Sequence, residues 1–120
     1  MSGDYRVKRA YEAAVGADGK RVLVDRLWPR GVSREVAGFD LWAKDATPSN
    51  DLRKWLHGHR DEYAEFVVRY EAELDGDVQR AALAEVRELG AGHTVTLVTA
   101  AKDVDQSHVP VLLKRLREGA

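Results

Sequence analysis

A chain of 120 residues with 19 Lys and Arg against 20 Asp and Glu carries a net charge of -1. It is long enough to bury one core without staples, and it generates no overall field toward nucleic acid or anionic lipid, so any anion site has to be local. The absence of cysteine excludes disulfides, thiolate metal sites and cysteine nucleophiles together.

The opening residues Met1-Ser2-Gly3-Asp4-Tyr5-Arg6 lack an apolar run, and no stretch reaches the roughly 20 apolar residues of a membrane helix. A cytoplasmic single domain, with no membrane partner, is the expectation. Tyr5 to Tyr11 alternates loosely, with Tyr5, Val7, Arg9 and Tyr11 on one side, which suits a partly buried edge strand. Glu12 to Lys20 contains Gly16 and the turn pair Asp18-Gly19, so it reads as a loop into a second strand, Arg21 to Asp25. Val22-Leu23-Val24 is apolar throughout, and the polar residues arrive together where the strand must end. Pro29 donates no ladder bond and holds Trp28 extended, while Gly31 opens backbone angles closed to other residues. Asp25, Arg26 and Arg30 therefore sit on a stiff turn.

Ser33 is placed to cap a short helical turn through Ala37, and Gly38 to Trp42 reads as a connector bringing two aromatics back to the core. Thr47-Pro48-Ser49 predicts a helix start, with Thr47 as the cap, Pro48 in the first position and Leu52, Trp55 and Leu56 on the buried face up to Gly58. From Asp61 to Leu74 the apolar residues Tyr63, Phe66, Val67, Tyr70 and Leu74 recur at helical spacing. Asp75-Gly76-Asp77 breaks that pattern, and Val78, Ala82, Val86 and Leu89 mark another amphipathic helix ending at Gly90. Thr94 to Thr99 reads as a strand and Ala100 to Gln106 as the loop after it. Ser107 then caps a last helix that tolerates Pro110 and buries Val109, Leu112, Leu113 and Leu116.

This order predicts a compact α/β domain with a small, mostly parallel sheet flanked by several helices. The strands at Val22 to Asp25 and Thr94 to Thr99, apolar on both faces, are expected to be central and adjacent, buried between helices. Trp42, Trp55, Phe66 and Tyr70 are the expected core aromatics. Whether the first strand pairs parallel or antiparallel is left open by a nine-residue connection.

The run from Arg21 to Gly31 resembles the hallmark of the YeaO-like family, whose function is unknown (domain of unknown function 488). Lys8-Arg9 with Tyr11, Trp42 with Lys44, Pro48-Ser49 with Leu52-Arg53 and Trp55, Arg69 to Leu74, and Thr96-Leu97 with Ala100 to Asp103 match it in turn, so the resemblance spans nearly the whole chain as one domain, 1–120. It implies a compact α/β fold and no established activity. Similar proteins read Gly-His where this chain has Leu56-His57-Gly58-His59, and Asn-His-Ala where it has Ser107-His108-Val109; longer relatives carry Cys-His-Arg there, which this chain does not.

Open α/β sheets place ligands outside the carboxyl ends of their strands, and both polar clusters follow a strand directly. Asp25, Arg26, Trp28, Arg30 and Lys102 are accordingly the candidate ligand-binding residues, with Asp103 and His108 as candidate proton carriers, all converging on one pocket at which the last helix aims its free N–H groups. The plainer alternative is an internal salt bridge of Asp25 with an arginine, His108 held by Asp103 or Asp105, and Trp28 in the core. Asp25, Asp103, Asp105 and His108 offer donors for a metal, but no ligand-spaced motif supports one, and no residue pattern points to a particular cofactor. His57, His59 and His93 read as surface histidines. Two functions of different class fit: a small enzyme acting on a phosphorylated or other anionic substrate, or a non-catalytic module binding an anionic metabolite or a nucleic-acid end. The balanced net charge disfavours nucleic acid.

Overall fold

The apolar run Val22-Leu23-Val24 is fully buried, as is every residue of the strand Val95–Thr99. In the computed structural model, which describes residues 4–119, these segments lie side by side in one sheet. Its strands are β1 (Tyr5–Arg9), β2 (Lys20–Leu23), β3 (Leu41–Trp42) and β4 (Val95–Thr99). The order across the sheet is β1-β4-β2-β3, and all three pairings are parallel. The two predicted central strands are thus central and adjacent, with Leu97 in register with both Val7 and Val22. The first strand is parallel as well, because β4 separates it from β2 and the chain between them returns along the sheet with only a 3-10 turn at Gly16–Asp18.

Five helices follow the expected pattern: α1 (Arg34–Ala37), α2 (Asn50–Gly58), α3 (Tyr63–Leu74), α4 (Asp77–Leu89) and α5 (Val109–Glu118). Phe66, Tyr70 and Leu74 of α3, Leu83 and Val86 of α4, and Leu112 and Leu116 of α5 form one core with Val22, Val24, Val95 and Leu97 of the sheet. The opposite face is met by the 3-10 turn at Gly16–Asp18 and by the end of α1. There Arg21 is 6% exposed; its Nη1 donates to Asp18 at 2.6 Å, and its Nε donates to the Ala37 carbonyl at the end of α1. Thr96 completes that layer by donating to the Asp18 carbonyl.

Several local expectations change. Gly38 to Trp42 is not only a connector: Leu41 and Trp42 pair with β2, a strand too short to leave an alternating pattern. The cap of α2 is Ser49, whose Oγ accepts from the Leu52 N–H, while Thr47 closes the preceding 3-10 turn by donating to the Lys44 carbonyl. Serine wins because its Oγ and N–H also bind the Glu73 carboxylate, tying the start of α2 to α3. Val78 is 59% exposed, and Leu83 takes the buried place in its helix. Trp42 and Trp55 are half-buried at the margin of the core, whereas Phe66 and Tyr70 are inside it. No helix among the described residues is long and apolar enough to cross a membrane.

Candidate functional site

Leu23 lies in register with Val98, and the Val24 N–H donates to the Val98 carbonyl at 3.0 Å, so the two strands leave the sheet side by side. Asp25 follows directly and locks the two exits together. Its carboxylate accepts from Thr99 Oγ1 and from the Ala100 N–H, each at 2.7 Å. His108 joins from the start of α5, with Nε2 2.5 Å from the Val24 carbonyl and 3.5 Å from Asp25 Oδ1. A carbonyl only accepts, so Nε2 carries the proton, and Nδ1 has no hydrogen-bond partner among the described residues. The partner of His108 is therefore Asp25 and the strand, not Asp103 or Asp105.

Burial raises the Asp25 carboxyl, but hydrogen bonds from His108, the Ala100 N–H and Thr99 outweigh it and hold the group below its ordinary 3.8. A carboxyl whose folded pKa is depressed adds stability that is present above the unfolded value and is lost as pH falls through the folded one. Urea midpoints measured from about pH 5 down to about pH 2 should fall more steeply for the natural chain than for Asp25→Asn. Parallel curves would mean that these contacts do not favour the ionised form.

The turn after β2 is braced in the other direction by Arg26, whose Nε donates to the Pro48 carbonyl at 2.8 Å and whose Nη2 reaches the Thr47 carbonyl at 3.5 Å. These acceptors are neutral. Neither Arg26 nor Arg30 pairs with a carboxylate among the described residues, so the internal salt bridge with Asp25 does not form. Gly31, at φ 79°, allows the turn to close in a conformation that side-chain-bearing residues rarely adopt. Trp28 is half-buried, its Nε1 donating to the Val32 carbonyl and its ring meeting Phe39 and Trp42 edge-on at 5.3 and 5.5 Å. Trp42 in turn donates to the Asp25 carbonyl at 2.6 Å.

These segments enclose a cavity of about 650 Å³. Its wall includes Asp25, Arg26, Trp28, Arg30, Lys102, Asp103 and His108, so the structure brings all of the sequence-derived candidates together. Sequence reasoning missed three further groups on that wall: Arg53 and His57 of α2, and Arg60 after it. Arg53 and His57 lie four residues apart on one helical face, a spacing that could have revealed them had that face not been read as solvent side. The Arg53 Nε is buried and has no hydrogen-bond partner among the described residues. Arg30, Arg60, Lys102 and Asp103 are exposed.

The start of α5 does not contribute as expected. The Val109 N–H is taken by Ser107 Oγ at 3.1 Å, Pro110 has no N–H, and neither residue lines the cavity. The two hydroxyls on the wall are occupied too, Thr47 donating to Lys44 and Ser107 to Val104, so neither is paired with a base. Asp25, Asp103, Asp105 and His108 do not assemble as a metal-ligand group among the described residues.

Residues 4–120 match the family profile described as the inactive DUF488-N3 subclade. The chain belongs to the YeaO-like DUF488 family. It is 44% identical over 111 residues to an uncharacterised protein of Mycobacterium tuberculosis (strain ATCC 25618 / H37Rv), covering 92% of each chain. To the uncharacterised protein YeaO of Escherichia coli (strain K12) it is 41% identical over 110 residues, covering 92% of this chain and 94% of that one. No solved structure matches it. The run from Arg21 to Gly31, on which the resemblance to this family rested, forms β2 and the turn that walls the cavity.

Proposed function

We propose that this protein is a cytoplasmic anion-binding module whose ligand sits in the cavity between the β2 turn, α2 and the loop after β4. The observation that carries the reading is Arg53, a cation on the wall whose side chain has no ion pair or hydrogen bond among the described residues. The buried Nε holds the guanidinium in place, and its terminal Nη groups, equally without a bond among those residues, are the donors left for an oxyanion in the cavity. Arg26, Arg30, Arg60 and Lys102 stand around the same space and form no ion pair among the described residues. A binding role without covalent chemistry suits the occupied hydroxyls and the word inactive in the description of the matching subclade.

The enzymatic alternative rests on one feature, the unpartnered Nδ1 of His108, whose ring is aimed by Val24 and Asp25. In that reading Nδ1 takes a proton from a water that attacks the phosphorus of a bound ester. The P–O bond to the leaving alcohol breaks, and that oxygen takes a proton from solvent at the open rim, with Asp103 as the other proton carrier.

Thermal unfolding in sulfate, phosphate and pyrophosphate, against sodium chloride of matched ionic strength, tests the binding site. Anion at ~100 times its dissociation constant should stabilise the protein by about 2.7 kcal/mol, and Arg53→Met should remove the gain. Identical transitions in all four salts would refute it. Product analysis after incubation with a stabilising phosphate ester separates binding from turnover.

A further inference from the structure

Resting on the anion-site reading, we infer that the ligand is a small organic diphosphate with an apolar or aromatic body, of which nucleoside diphosphates are the type. Charge is the first ground. Five cations, Arg26, Arg30, Arg53, Arg60 and Lys102, face two carboxylates, Asp25 and Asp103, which leaves an excess of three positive charges. Asp25 is moreover engaged with Thr99, Ala100 and His108. A carboxylate leaves two of those charges unmatched and a sulfate one, whereas a diphosphate ester, with two to three negative charges near neutrality, comes nearest to balancing all three.

Size is the second ground. About 650 Å³ is far more than a bare oxyanion fills and falls within the range of pockets that enclose drug-sized organic molecules. The third ground is the apolar part of the wall. Leu27 lies between two site residues of the turn and is 58% exposed, and the half-buried Leu56 lines the same cavity. An exposed leucine at the mouth of a cationic cavity gains from being covered by the body of a ligand, and an inorganic anion leaves it wet. The net charge of -1 gives the whole chain no overall field toward a polyanion, which favours a small ligand over a nucleic-acid strand.

Calorimetric titration of the full chain with inorganic phosphate, pyrophosphate, adenosine diphosphate, adenosine and a 5′-phosphorylated oligonucleotide tests this inference. Pyrophosphate should bind more tightly than phosphate, and adenosine diphosphate about tenfold or more tighter than pyrophosphate. Leu27→Ser, a change at an exposed position, should bring the diphosphate ester back toward the affinity of pyrophosphate. Equal affinity for pyrophosphate and adenosine diphosphate would overturn the organic body while leaving the anion site standing. Tighter binding of the oligonucleotide than of either would overturn the small ligand. Binding of adenosine alone, or of none of the five, would defeat this inference and the anion site together.

Discussion

Replacing Phe66 by alanine is expected to lower the free energy of unfolding by about 3 to 5 kcal/mol. Phe66 is 1% exposed and stacks with both Tyr63 and Tyr70 of its own helix, with ring centroids 5.7 Å apart in each pair. It belongs to the core that joins α3 to Val22, Val24, Val95 and Leu97 of the sheet. Removing the ring takes away its transfer free energy and leaves a void that neighbours fixed by other bonds do not fill. Tyr70, for one, is fully buried, and its hydroxyl is held to the Ala46 carbonyl at 2.6 Å. Typical domains have only 5 to 15 kcal/mol to lose, so the substitution should bring the protein close to its unfolding threshold. Urea denaturation, with the slope checked for constancy, measures the effect. Val68→Ala, at a position 62% exposed on the same helix, is the control and should change stability by no more than about 0.5 kcal/mol. A loss below about 1 kcal/mol for Phe66→Ala would mean that α3 does not pack through this face.

The same helix shows why much of the fold could be read from the residues. Tyr63, Phe66, Val67, Tyr70 and Leu74 repeat at helical spacing, and the packing side follows from that spacing alone. Val22 to Val24 and Val95 to Thr99 were legible for a related reason, because strands apolar on both faces are disfavoured at a wetted edge. Strand β3 was not legible, since a two-residue pairing exists only because Leu23 offers Trp42 a partner. The cap of α2 was misplaced because Thr47 and Ser49 are both good caps, and the choice is made by Glu73, 24 residues further on. At the site, the convergence of the two polar clusters followed from strand order. Arg53 did not, because an arginine on the polar side of an amphipathic helix looks solvated until its neighbours across the cavity are known. The role given to the start of α5 failed for a reason visible in the residues themselves: Pro110 has no N–H, and Ser107 satisfies the Val109 donor.

Substitution of Arg30 and Arg53 together is expected to weaken pyrophosphate binding by about 3 to 6 kcal/mol, or roughly 10²- to 10⁴-fold, while the protein stays folded. A hydrogen bond to a charged partner contributes about 1.5 to 3 kcal/mol, and each guanidinium is assigned one such bond to the anion. Arg26 is the wrong choice for this test. Its guanidinium donates to the Pro48 and Thr47 carbonyls, so removing it would free the turn from the start of α2 and mix loss of binding with loss of structure. Arg30 is exposed, and Arg53 makes no side-chain bond through its buried Nε, so neither is expected to support the fold through that group. Methionine at position 53 keeps an apolar stem, three residues from Leu56 on the same helix, while discarding the charge, and alanine suffices at the exposed position 30. Relief of the unsatisfied Nε should leave the urea midpoint of Arg53→Met level with or above that of the natural chain, a direction opposite to that of a structural arginine. Titration with pyrophosphate and denaturation of the same samples read the two effects separately. Undiminished affinity in a folded double variant would move the anion out of this cavity; a lowered midpoint with Arg53→Met alone would make that arginine part of the scaffold and remove the observation on which the binding site rests.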